Sequence, residues 1–127
     1  MKILIVEDLL IMRRVIANSL RTIGYEDIIE AASGEEAFTI LADEPVDMII
    51  TDWLMPGMSG MDLVKKIKSN IELEDIPIIM LTTKNDKDDV MTAMSAHIDG
   101  YIVKPFNAQI LKDKIDSIIS PYKTYNL

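Results

Sequence analysis

Five short apolar runs, each followed by a helical pattern, constrain this chain more than any other feature of its sequence. Ile3-Leu4-Ile5-Val6 is continuous and rich in β-branched residues, as a strand buried on both faces should be. Met12, Val15, Ile16, Leu20 and Ile23 then recur at helical spacing until Gly24 stops them. Asp27 to Ala31 reads as a second, weaker strand. Ser33-Gly34-Glu35-Glu36 has the form of a capping box and opens a helix through Ala42. Val46 to Thr51 is a third strand, followed by the loop Pro56-Gly57-Met58-Ser59-Gly60 and a helix carrying Leu63, Val64 and Ile67. Pro77 to Leu81 is a fourth strand. Asn85 is expected to cap the next helix, whose first turn holds Asp88 and Asp89. Tyr101-Ile102-Val103 is a fifth strand. Asn107 is expected to cap a last helix that turns Leu111, Ile115 and Ile118 inward.

Strict alternation of strand and helix predicts an α/β fold, with a five-stranded parallel sheet and helices on both faces. One domain is expected over residues 1–120, with 121–127 as a frayed tail. Nothing reads as a linker or a repeat. The net charge of −8 repels phosphate backbones, which argues against nucleic acid as a partner. Cysteine is absent, so disulfides, thiolate metal sites and thiol nucleophiles are excluded. The apolar start stops at Glu7-Asp8, too early for a signal core or a spanning helix, and a cytoplasmic home without membrane contact is expected.

In open parallel sheets, ligands sit at the carboxyl ends of the strands where the winding reverses. Strand one ends in Glu7-Asp8, strand three in Asp52, strand four in Thr82-Thr83 and strand five in Lys104-Pro105. If strands one and three are neighbours, they lie ~4.8 Å apart, and three carboxylates converge. Two such charges ~5 Å apart repel by roughly 3 kcal/mol at an effective dielectric of 20. Lys104 offsets one of them. A hard divalent cation offsets the rest, and an all-oxygen donor set without His or Cys favours Mg²⁺. A carboxylate-held cation beside a hydroxyl and a lysine is a phosphoryl site in outline. Asp52, alone on the middle strand between the acid pair and Thr82, is the candidate nucleophile for an aspartyl phosphate.

At these residues the chain resembles the receiver domains of two-component response regulators, and within them the single-domain chemotaxis regulators. The resemblance runs from Lys2 to about Ile119. It is carried by Glu7-Asp8, Met12-Arg13-Arg14, Thr51-Asp52-Trp53-Leu54-Met55-Pro56, Met58-Ser59-Gly60, Thr82 and Tyr101-Ile102-Val103-Lys104-Pro105-Phe106. It implies a flavodoxin-like (βα)5 fold with strand order 2-1-3-4-5. It implies that Asp52 accepts phosphate from a sensor histidine kinase of the chemotaxis type. Asp8, Asp52 and the backbone carbonyl of Leu54 would bind Mg²⁺, with Glu7 acting largely through water. Lys104 would pair with the acyl phosphate, across a cis bond to Pro105. Thr82 would swing toward a phosphoryl oxygen, and Tyr101 would turn into the space it leaves. The face carrying Val90, Met94, Tyr101, Val103 and Lys114 would then change its affinity for a flagellar motor switch protein or other target, as a population shift. A phosphatase is a further partner class, and a monomer is expected.

Four departures from the family stand out. Leu9-Leu10-Ile11 is unusually apolar after the acid pair, as a kinase docking surface or as helix packing. Leu54 and Lys84 replace the family's commoner residues where access of the hydrolytic water is tuned. His97 stands at a usual Gly position, tolerable if the backbone keeps φ > 0.

Each residue alone has a plainer reading. Asp8 and Asp52 suit helix caps, Lys104 a surface charge, Thr82 a strand end, and Tyr101 and Trp53 ordinary packing. Met residues default to core filling, and Lys65, Lys66 and Lys68 to a solvated helix face. Other functions stay open: a phosphate sink, an FMN carrier of flavodoxin type, an aspartate-nucleophile phosphomonoesterase, and a receiver-like module that is never phosphorylated. The FMN carrier is disfavoured because Leu9-Leu10-Ile11 offers no hydroxyl cradle. Leu54 stands where the phosphomonoesterase wants an acid. At 127 residues no separate output domain is expected, so output falls to protein contact.

Overall fold

The computed structural model describes residues 1–120, so the expected frayed tail lies outside the described residues. Ten elements alternate without exception: β1 (Ile3–Val6), α1 (Leu10–Thr22), β2 (Ile28–Ala31), α2 (Gly34–Asp43), β3 (Met48–Thr51), α3 (Gly60–Lys68), β4 (Ile78–Thr82), α4 (Lys87–Ser95), β5 (Gly100–Val103) and α5 (Ala108–Ile119). The sheet is parallel with order β2-β1-β3-β4-β5. The winding therefore reverses between β1 and β3. Val6 pairs with Thr51, so the residues that follow them leave the sheet side by side.

β1, β3 and β4 are buried along their whole length, which is why they read as continuous apolar runs. Their alternate side chains feed two cores. Leu4, Val6, Ile49, Ile78 and Met80 pack with α2, α3 and α4 on one face. Ile3, Ile5, Met48, Ile50, Ile79 and Leu81 pack with α1 and α5 on the other. Of the nine methionines, Met48, Met55, Met61 and Met80 fill core.

Several local expectations shift. α1 turns Ile16, Ala17 and Leu20 inward, so Val15 falls just off the core-facing stripe and is exposed. Ser33 accepts from the Glu36 amide at 3.0 Å, but no bond returns from the Glu36 carboxylate to the Ser33 amide, so only half of the box forms; Glu35 accepts from the Met58 amide. The complete capping box lies instead on α3, between Ser59 and Asp62. α4 starts one residue later than expected. Its N-cap is Asp86, not Asn85, and Asp86 makes no side-chain cap bond. Asn107 caps α5 through the Ile110 amide, as expected. His97 has φ 68°, and the Lys104–Pro105 bond is cis.

The β3–α3 loop curls back on the strand end. The Gly60 amide donates to the Trp53 carbonyl at 2.8 Å. A Cβ on Gly60 would stand 1.8 Å from the Asp52 carbonyl oxygen, so only glycine admits this approach.

Candidate functional site

The sheet's carboxyl edge brings Glu7, Asp52, Thr82 and Lys104 together. Lys104 leaves β5, crosses to the centre and donates from Nζ to Glu7 Oε1 at 2.8 Å and Asp52 Oδ2 at 3.0 Å. All three side chains are largely shielded from water, with Glu7 at 0%, Lys104 at 9% and Asp52 at 11% exposure. The other Asp52 oxygen accepts from the Trp53 amide at 2.6 Å and the Leu54 amide at 3.2 Å. This is an Asx-type turn, which holds the carboxylate at the start of its own loop. The Thr51 hydroxyl donates to the Asp52 carbonyl at 2.9 Å.

Electrostatics separate the two carboxylates. Burial pushes Asp52 up. The Lys104 ammonium, the Thr82 hydroxyl and the Leu54 amide outweigh it, so its carboxyl sits below the usual range. For Glu7, burial dominates over Lys104, and the neighbouring Asp8 and Asp52 carboxyls add to it, so its carboxyl sits above the usual range. Burial alone would lower Lys104, but its two carboxylate partners hold it above an ordinary lysine. Of the two carboxyls, Asp52 is therefore the more acidic.

Around this centre, the Lys84 amide points to the Thr82 hydroxyl at 3.4 Å. The Lys84 carbonyl accepts from the Tyr101 hydroxyl at 2.6 Å. The Lys84 ammonium lies 4.7 Å from the centre of the Trp53 ring, a cation–π stack, and 3.5 Å from Asp89. Tyr101 and Thr82 are therefore joined through one loop. Sequence reasoning marked Lys84 and Trp53 separately and missed their contact, for which no spacing gives a signal. Of the expected contact face, Met94 and Val103 are exposed, while Val90, Tyr101 and Lys114 are half-buried. The Lys114 stem lies over Gly100, where a Cβ would come within 2.8 Å of it.

The oxygen donors at the strand ends suit a hard divalent ion such as Mg²⁺. Asp8 and Leu54 flank the buried pair at the strand ends, and all the donors are hard oxygens. Among the described residues, no three acidic or histidine side chains are arranged as a ready-made cage. Magnesium does not require one, since it takes one or two carboxylates and keeps several waters. The expected convergence of three carboxylates reduces to Glu7 and Asp52 on Lys104, with Asp8 beside Glu7, and one ammonium still leaves the site short of positive charge. The residues fit the ion.

A buried aspartate held beside a lysine and a hydroxyl at the switch point of a parallel sheet defines a class. The chain belongs to the response regulator receiver domains, whose family model matches residues 3–116. It is 48% identical over 120 residues to the chemotaxis protein CheY1 of Helicobacter pylori, covering 94% of this chain and 97% of that protein. It is 47% identical to a CheY homologue of Campylobacter jejuni, with 94% and 92% covered. The structure of CheY4 from Vibrio cholerae superposes with a TM-score of 0.85 at 31% identity, covering 93% of this chain and 98% of that one. Within the family, this chain is a receiver of the CheY chemotaxis type and a signalling protein rather than a classical enzyme. The matched family is the receiver domain and not an FMN carrier.

Proposed function

We propose that this chain is a phosphorylation-activated switch in a two-component chemotaxis system, working in the cytoplasm. Asp52 is the phosphoacceptor; Asp52, Asp8 and the Leu54 carbonyl would hold Mg²⁺, with Glu7 acting largely through water. The observation that carries the reading is the position of the Asp52 carboxylate, held ionised and 3.0 Å from the Lys104 ammonium at the sheet's switch point. An Asp52 oxygen attacks the phosphorus of a phosphohistidine on the sensor kinase. The new O–P bond forms as the N–P bond breaks, and the imidazole departs with that bond's electron pair. Bound Mg²⁺ supplies charge neutralisation for the phosphoryl oxygens. Lys104 exchanges its carboxylate partner for a phosphoryl oxygen, and Thr82 donates to another.

Moving Thr82 disturbs the Lys84 loop, and with it the hydroxyl contact of Tyr101. That couples Asp52 to the face bearing Val90, Met94, Val103 and Lys114, which would bind a flagellar motor switch protein. Leu54 and Lys84 flank the approach of hydrolytic water and would set the phosphoryl lifetime. The exposed Leu9, Leu10 and Ile11 offer an apolar rim for the donor kinase.

The test is incubation with acetyl phosphate, with and without Mg²⁺, followed by mass mapping. Wild type should gain an acid-labile phosphate on Asp52 only when Mg²⁺ is present. Asp52→Asn should gain none while keeping its fold. Undiminished label on that variant would overturn the assignment.

A further inference from the structure

Arg13 sits in the first turns of α1, and the chemistry above leaves it unused. Its side chain is 14% exposed. Nη1 donates to the backbone carbonyl of Glu7 at 2.8 Å, and Nε donates to Glu30 Oε1 at 3.1 Å. Glu30 stands on β2 beside Ile5 of β1. Arg14 reaches the same Glu30 oxygen at 3.4 Å, but its side chain is 64% exposed. A planar guanidinium holds its donors in fixed directions, so two such bonds set orientation as well as distance. The carbonyl it grips belongs to the peptide between Glu7 and Asp8, and the rotation of that peptide aims the Asp8 side chain. One half-buried guanidinium thus ties β2, α1 and the acid turn together.

We propose that Arg13 is a positioning residue for the cation site, holding Asp8 in the orientation from which it shares Mg²⁺ with Asp52. This rests on the Mg²⁺ reading above. The inference makes a prediction of sign. Were Arg13 only a nearby positive charge, it would repel a divalent cation, and removing it would tighten binding. A positioning role predicts the reverse.

The experiment is calorimetric titration of the full chain with magnesium chloride. Arg13→Ala is expected to bind Mg²⁺ about tenfold more weakly, the usual loss when an outer partner of a metal ligand is removed. Arg13→Lys keeps the charge without the guanidinium and is expected to weaken binding in the same direction. It also decides the matter if the alanine variant does not fold. Thermal unfolding without Mg²⁺ monitors stability separately. At saturating Mg²⁺, acetyl phosphate labelling of Asp52 in Arg13→Lys is expected to return to within about twofold of wild type, since the defect is in holding the ion. Lysine-variant affinity equal to wild type would overturn the inference. So would tighter binding by the alanine variant, or a labelling defect that persists at saturation. A wild-type protein that takes up no Mg²⁺ would instead overturn the reading of the site, and this inference with it.

Discussion

Lys104→Met removes the ammonium between two carboxylates while keeping most of the side chain's volume. Nζ lies 2.8 Å from Glu7 Oε1 and 3.0 Å from Asp52 Oδ2. The two oxygens are therefore no more than about 6 Å apart, and at an effective dielectric of 20 they repel by about 3 kcal/mol. Glu7 has no exposed surface through which to reach water. Removing one partner of such a buried pair typically costs about 3–5 kcal/mol, so a loss of about 3 kcal/mol is expected at about pH 8, or roughly 10 °C in melting temperature.

Relief should come from two directions. Burial already holds the Glu7 carboxyl above its usual range, and losing Lys104 raises it further. A carboxyl raised in the native state takes up a proton before the unfolded chain does. Stability therefore rises as pH falls through that value toward the unfolded carboxyl's, and is lost as pH rises back through it. The variant's deficit should shrink at an acid pH, where the raised Glu7 carboxyl holds its proton. Magnesium chloride should also restore stability, and more so in the variant than in wild type, because the ion replaces the missing charge. Urea unfolding followed by Trp53 fluorescence measures all four conditions. A variant as stable as wild type throughout, or equally weakened at both pH values, would refute the claim that Lys104 screens these carboxylates.

Further substitutions probe the scaffold. Gly60→Ala places a methyl 1.8 Å from the Asp52 carbonyl oxygen, where the obstacle is backbone; it should cost about 3 kcal/mol or more by thermal unfolding. Gly34→Ala, whose Cβ meets Met58 side-chain atoms from Sδ at 2.8 Å to Cβ at 3.0 Å, should cost about 1–2 kcal/mol, less than Gly60→Ala because the obstacle is side chain; equal losses at the two positions would contradict the close-approach argument. Ser59→Ala removes half of the α3 capping box and should lower urea stability by about 1 kcal/mol. Tyr101→Phe leaves the Lys84 carbonyl without its donor, for about 1 kcal/mol. Burial and nearby Asp89 hold the Tyr101 hydroxyl above an ordinary tyrosine. The absorbance difference between wild type and Tyr101→Phe should therefore appear only above the usual phenol range, and a difference at ordinary tyrosine pH would contradict its burial.

Much of the fold was legible because a strand buried on both faces admits almost nothing but apolar residues. Ile3–Val6, Met48–Thr51 and Ile78–Thr82 announce themselves for that reason. The site was legible because parallel sheets place function at strand ends, where Glu7, Asp52, Thr82 and Lys104 each interrupt an apolar run. Details that depend on helix rotation were not. Val15 fits a helical period as well as Ile16 does, yet it lies off the buried stripe. Asn85 was expected to cap α4, but the loop's path puts Asp86 at the N-cap, where it makes no side-chain cap bond. Ser33 and Glu36 read as a capping box, but only the Ser33 half of it forms.

Order and periodicity along the chain determined the ten elements and the residues standing at the sheet's edge, because burial selects side chains locally. Only the tertiary structure decided how those residues divide the charge. Lys104 meets Glu7 across 97 positions of sequence and Asp52 across 52. Whether an ammonium bridges two carboxylates or faces water depends on ångströms that no spacing encodes. The same packing shields Glu7 fully and leaves Asp52 in reach of a hydroxyl and two amides, so one carboxyl is pushed up and the other held down.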